Sequence, residues 1–150
     1  MFEIILNNQE LIFIFNALLS LLIGFVIGIE RELRGKDAGI STHTLVITGS
    51  MLFTFLSFHV LSDSTTRIAS QIVVGIGFLG AGLILKDGTS VRNLTTAASL
   101  WFSAAIGMAI GFQFYIVAIT SALIAVLTLR IPHMSHQGLR NEHHDETENK

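Results

Sequence analysis

Five stretches free of Asp, Glu, Lys and Arg run through the chain: Leu11 to Ile29, His43 to Leu61, Ile68 to Leu85, Asn93 to Gly111 and Phe112 to Leu129. Each approaches the roughly 20 apolar residues that an α-helix needs to cross a hydrocarbon core. The charged residues gather in short blocks between them. This pattern predicts an all-α, polytopic membrane bundle of five transmembrane helices. The last two runs meet at Gly111-Phe112-Gln113 without a charged loop, so four spans plus a re-entrant element is the alternative.

Lys and Arg collect in short cytoplasmic loops. With the amino terminus outside, Arg31, Arg34, Lys36, Lys86, Arg92, Arg130, Arg140 and Lys150 fall inside and only Arg67 falls outside. The expected orientation is therefore amino terminus out and carboxyl terminus in. The first run has Glu3 and Glu10 before it and no small-x-small cleavage site after it, so it reads as a retained span and not a signal peptide. Pro132 is expected to end the fifth helix. Residues 1–131 thus form the membrane domain, and 132–150 a polar, disordered cytoplasmic tail.

Composition supports the bilayer as solvent. Charged residues make up 13% of the 150 and hydrophobic ones 51%, whereas about a quarter of a soluble chain is charged. The absence of Cys removes disulfides, thiolate metal sites and thiol nucleophiles. No basic stripe points to nucleic acid. No activated nucleophile or acid–base pair is recognisable, so an enzyme is not expected.

Gly75-Ile-Gly-Phe-Leu-Gly80 satisfies the G-x-G-x-x-G spacing of dinucleotide loops. That motif needs a preceding strand and an acidic ribose partner about 20 residues on, and after Asp87 no acid occurs until Glu142. Membrane helices associate through close backbone approach, for which small residues are suited. Ser20, Gly24 and Gly28 form one four-residue-spaced row; Thr95, Ser99, Ser103, Gly107 and Gly111 form another. Gly75, Gly77, Gly80, Ala81 and Gly82 clear more than one face of the third span, which predicts a central helix touched from several sides. Rows without assured partners inside one subunit suggest a homo-oligomer.

Polar groups at membrane depth are few. Arg67 and Gln71 share one helical face near the outer surface, where they read as a headgroup anchor or a functional patch. Asn16 and His59 read as interhelical hydrogen-bonding residues, and Trp101 as internally packed. The inner loop IERELRGKDAGISTH places Glu30 and Arg34 at i, i+4. The second inner loop, KDGTSVRNLTTAAS, offers an Asp87-Gly88 turn and Asn93 as a helix cap. Glu30, Arg31, Asp87, Arg92 and Asn93 are candidates for one polar site under the membrane. In the tail, His133, His136, His143 and His144 with neighbouring acids could hold a transition metal weakly; a solvated tail is the simpler reading.

Several segments together resemble the MgtC/SapB family of bacterial membrane proteins: GFVIGIEREL at 24–33, KDAGISTHTLVITGSMLF at 36–53, RIASQIVVGIGFLGAGLIL at 67–85 and DGTSVRNLTTAASLWFSAAIG at 87–107. The resemblance implies an inner-membrane, multi-pass factor for growth at low Mg2+ and, in pathogens, for survival inside phagocytes. It also implies a membrane partner such as the F-type ATP synthase. Two departures stand out. The family commonly has Arg-Thr where this chain has Ser41-Thr42, and longer members carry an ACT-like carboxyl-terminal domain, so regulation through that domain is not expected to transfer.

The leading expectation is a non-enzymatic regulator. A channel or transporter for Mg2+ or another small solute is the alternative, with Mg2+ as its transported or sensed ion. Mg2+ sites normally use carboxylates, and none interrupts the five runs, although carbonyl rings or oligomeric assembly could build a pore.

Overall fold

In lipid every backbone N–H and C=O must be satisfied within the protein, so long apolar runs become helices. The computed structural model describes residues 8–60, 67–88 and 90–131. Its helices are α1 (Asn8–Leu33), α2 (Ile40–Val60), α3 (Arg67–Leu83), α4 (Leu94–Gly111) and α5 (Tyr115–Arg130). The described residues form an all-α bundle of five separate helices. In α1, α4 and residues 40–59 of α2, length and apolarity suffice to cross a membrane. The 17 residues of α3 and 16 of α5 rise about 26 and 24 Å at 1.5 Å per residue. Residues 132–150, with Pro132 and the tail histidines, lie outside the described residues.

A two-stranded antiparallel hairpin, β1 (Leu85–Asp87) and β2 (Ser90–Arg92), joins α3 to α4. The run to Leu85 predicts a helix that ends two residues later than α3 does. Gly88 has a φ of +57°, a left-handed conformation that glycine adopts without penalty, and it reverses the chain there.

The expected centre of the bundle is displaced. The glycine-rich third span predicts α3 as the hub, yet only Ala69 and Ile76 are buried among its 17 residues. Ten of the 18 residues of α4 are buried, and α2 packs against α1, α3 and α4. The reason lies in what faces each glycine. A Cβ at Gly24 would sit 2.5 Å from Thr44 Cα, and one at Gly28 would collide with Ile40 Cα. On the other side of α2, a Cβ at Gly107 would meet the Ile47 carbonyl oxygen and Ser50 Cβ (2.8 Å), and one at Gly111 would lie 2.6 Å from Thr54 Cβ. Both small-residue rows therefore meet α2 inside the subunit, with Ser20 and Ser103 buried in the same rows. Near Gly75, Gly77 and Gly82 no atom lies within 4 Å of such a Cβ, and Gly80 has only Ala97 at 3.8 Å. Small residues permit close approach without compelling it.

Ile23, Ile27, Ile47, Met51, Ile106 and Ile110 form the main apolar core between α1, α2 and α4. Trp101, expected inside, is 52% exposed. It lies on the outer side of α4, beside Thr95 and Ala98, at a groove against α5.

Candidate functional site

The densest chemistry in the bundle lies where α1 ends, α2 begins and α4 begins. The end of α1 is a Schellman motif: Gly35, at φ +61°, donates to Glu32 O at 2.9 Å, and Lys36 donates to Arg31 O at 3.1 Å. This closure satisfies carbonyls that an α-helix leaves open at its carboxyl end. Glu32 Oε2 then accepts from the Ile40 amide at 3.2 Å, serving one of the free N–H groups at the start of α2.

Within this corner Arg31 is 2% exposed, and its Nη2 donates to Thr96 Oγ1 on α4 at 2.9 Å. Glu30 is 8% exposed. Its Oε1 pairs with Arg34 Nε at 2.5 Å, the i, i+4 contact that the sequence spacing predicts. A buried charge is costly unless paired and hydrogen-bonded. Here Glu30 Oε2 and Arg31 Nε are buried with no hydrogen-bond partner among the described residues. Arg34 Nη2 reaches the Arg130 carbonyl at 3.3 Å, which ties α1 to the end of α5.

His43 completes the cluster. It is fully buried, with Nδ1 3.0 Å from Gly39 O and Nε2 3.3 Å from Ser99 Oγ. A carbonyl can only accept, so Nδ1 carries the proton. Ser99 Oγ also donates to Thr96 O at 2.7 Å, and its one proton serves one acceptor at a time. Arg31, Thr96, Ser99, His43 and Gly39 thereby link three helix ends. His43, Thr96 and Ser99 escape sequence reasoning as site residues because their partners lie far away along the chain, 56 residues between His43 and Ser99.

The candidate patch read from sequence divides three ways. Glu30 and Arg31 stand in the buried cluster. Asn93, from the second inner loop, stands at the exposed edge of the same corner, donating through Nδ2 to Asp37 Oδ2 at 2.5 Å. It stands at the start of α4 with a φ of 64° and makes no side-chain capping bond, contrary to the expected cap, because capping needs an extended backbone to bring the side-chain oxygen onto the next N–H groups. Asp87 and Arg92 lie in the hairpin, Asp87 opposite Ser90 and Arg92 opposite Leu85. Arg67 and Gln71 lie at the far end of α3. Ser70 donates there to Arg67 O at 2.8 Å, and Gln71 lines a groove of about 480 Å³ between α2 and α3, with Gly49, Phe53, Gly75 and Leu79.

At the opposite end of the bundle Asn16 Oδ1 accepts from Tyr115 Oη at 3.0 Å, an interhelical bond as its lone position in an apolar run suggests. His59 does otherwise: its ring lies 2.8 Å from Phe55 O in its own helix and stacks on the Phe55 ring at 4.0 Å. Among the described residues no group of three or more His, Asp or Glu side chains is placed to hold a metal ion.

Residues 17–137 match the MgtC family. The chain is 46% identical over 112 residues to "Protein MgtC" of Salmonella typhimurium strain LT2, covering 75% of this chain and 48% of the relative. It is 38% identical over 141 residues to "Putative magnesium transporter YhiD" of Escherichia coli K12, covering 88% and 66%. A third relative, "Protein MgtC" of Brucella abortus, is 53% identical over 93 residues, 61% of this chain and 39% of that one. The chain spans about half the length of the MgtC relatives it matches. No solved structure matches.

Proposed function

The chain belongs to the MgtC family of membrane proteins, and from that premise we propose a non-enzymatic regulator of magnesium adaptation that acts by docking against another membrane protein. One observation carries this reading. The small-residue rows of α1 and α4 are consumed against α2, while Gly75, Gly77 and Gly82 on α3 face open space. A helix with bare small residues on more than one side, Phe78 at 82% exposure and a groove beside Gly75 and Gln71 suits a second transmembrane helix. The family resemblance makes the F-type ATP synthase the first partner to test and the bacterial inner membrane the place. A second copy of the chain is the other occupant, and homo-oligomer formation now rests on α3, since the other two rows are occupied.

The test is site-specific photocrosslinking in native membranes from Gly77 and, as control, from Leu123 on α5. Adducts from position 77 alone support docking through α3, and their mass distinguishes a second copy from the synthase. No adduct from position 77 in correctly inserted protein refutes the reading.

Transport is the second reading. The name of the Escherichia coli relative suggests it, as do the buried Ser20, Thr44 and Thr48 hydroxyls and Asn16 Nδ2, which lack hydrogen-bond partners among the described residues. The backbone approaches at Gly24 and Gly28 leave little room for an ion along that α1–α2 seam, so regulation is preferred. Mg2+ uptake into sealed vesicles, lost on Glu30→Ala or Arg67→Ala, would reverse the preference.

A further inference from the structure

The hairpin between α3 and α4 is not used by either reading. Its three cross-strand pairs are Leu85 with Arg92, Lys86 with Val91 and Asp87 with Ser90. Cross-strand partners share a face of the ribbon, so each face carries one large apolar side chain beside one cation. Leu85 is 54% exposed and Val91 53%; Lys86 and Arg92 are exposed too, and neither makes an ion pair or side-chain hydrogen bond among the described residues. Leu94, at 61%, continues the apolar edge into α4. The ribbon packs none of these four side chains into the bundle. It follows a 17-residue apolar helix, and an apolar helix that short would bring its ends close to the headgroup layer.

We infer that the β1–β2 hairpin is a binding site for anionic phospholipid headgroups, with Lys86 and Arg92 on the phosphates and Leu85 and Val91 entering the interfacial layer. Charge complementarity selects this occupant. Cations on an amphipathic element beside a membrane are drawn to acidic lipids. Lys86 and Arg92 outweigh Asp87 on the ribbon, and Lys36 and Arg130 are exposed at the same end of the bundle. An apolar side chain beside each cation suits a lipid, which offers phosphate and acyl chain together, better than a free phosphate. This inference stands apart from docking through α3.

The experiment uses the full chain in a mild detergent with equal amounts of dioleoyl phosphatidylglycerol and phosphatidylcholine, and native mass spectrometry to count retained lipid. Phosphatidylglycerol is expected to be retained preferentially. At about fivefold in affinity per cation, Lys86→Gln with Arg92→Gln loses about 25-fold for phosphatidylglycerol, with little change for phosphatidylcholine. Lys86→Arg with Arg92→Lys keeps the preference, and Leu85→Ser with Val91→Ser lowers retention of both lipids. Should the double glutamine variant fold poorly, Arg92→Gln alone is expected to lose about fivefold. Equal retention of the two lipids, an unchanged preference in the glutamine variants, or an equal loss from Lys36→Gln off the hairpin would each overturn the assignment. Complete displacement by inorganic phosphate at matched concentration would also overturn it, since the ligand would then be a free anion.

Discussion

Replacing Gly107 by Ala tests whether α2 and α4 are held together by backbone contact. The new Cβ would meet the Ile47 carbonyl oxygen, lie 2.8 Å from Ser50 Cβ and lie 3.0 Å from the Ile47 carbonyl carbon. Ordinary contact begins near 3.4 Å, so the helices must part by at least 0.6 Å (3.4 − 2.8). Ile47 O belongs to a helix backbone and cannot turn aside as a side-chain tip would. The separation would also loosen Ile106 and Ile110 against Ile47 and Met51. Overpacking of this kind costs about 1–3 kcal/mol, and the upper end applies because backbone must move. Gly77→Ala is the matched control. Nothing lies within 4 Å of its Cβ, and Ala exceeds Gly in helix propensity by about 1 kcal/mol. Gly107→Ala gains the same helix propensity, so equilibrium unfolding in mixed micelles should show it destabilised by about 2 kcal/mol (3 − 1) and Gly77→Ala unchanged or stabilised. A Gly107→Ala protein within about 0.5 kcal/mol of wild type, below the usual cost of overpacking, would refute the reasoning. So would a Gly77→Ala loss as large as that of Gly107→Ala.

Three other outcomes follow from the polar corner. Thr96→Val removes the acceptor for Arg31 while keeping shape, and a hydrogen bond to a charged group contributes about 1.5–3 kcal/mol; a double-mutant cycle with Arg31→Met should recover a coupling of that size. Gly35→Ala, at φ +61°, should cost about 1–2 kcal/mol in the same unfolding assay, whereas Gly39→Ala, whose Cβ meets the Glu32 carboxylate, should be relieved by adding Glu32→Ala. Asn93→Gly keeps the left-handed backbone and loses only the bond to Asp37, so it should be milder than Asn93→Val, which loses both; equal losses would show that the backbone conformation contributes nothing.

Much of this architecture is legible in the sequence, and what is not has identifiable causes. Apolar run lengths locate the five helices because hydrocarbon thickness sets one length scale for all of them. The rows through Gly24, Gly28, Gly107 and Gly111 are visible because spacing by four marks a helix face. Their partner is not visible, because α2 meets them with Ile40, Thr44, Ile47, Ser50 and Thr54, which form no small-residue stripe. The same blindness makes α3 look central, since a glycine reads alike whether a helix or open space lies opposite. In the corner, Glu30 with Arg34 is readable from i, i+4 spacing, and Asn93 is singled out for its type. Its bond to Asp37 and the Arg31–Thr96 contact depend on tertiary closure over 56 and 65 residues. The hairpin is half legible: Asp87-Gly88 signals the turn, but strands of three residues are too short to show alternation.

The antiparallel register of α1 and α2 constrains the chain in another respect. Gly28 stands against Ile40 and Gly24 against Thr44, and residues 34–39 alone join the two helices. Adding or removing one residue within a helix turns everything beyond it by about 100°, and the Schellman closure with the Glu32–Ile40 bond leaves the connection little slack to absorb the change. Those six residues act as a spacer of fixed length. Among descendants of this chain, drift in their identity should be far commoner than insertion or deletion.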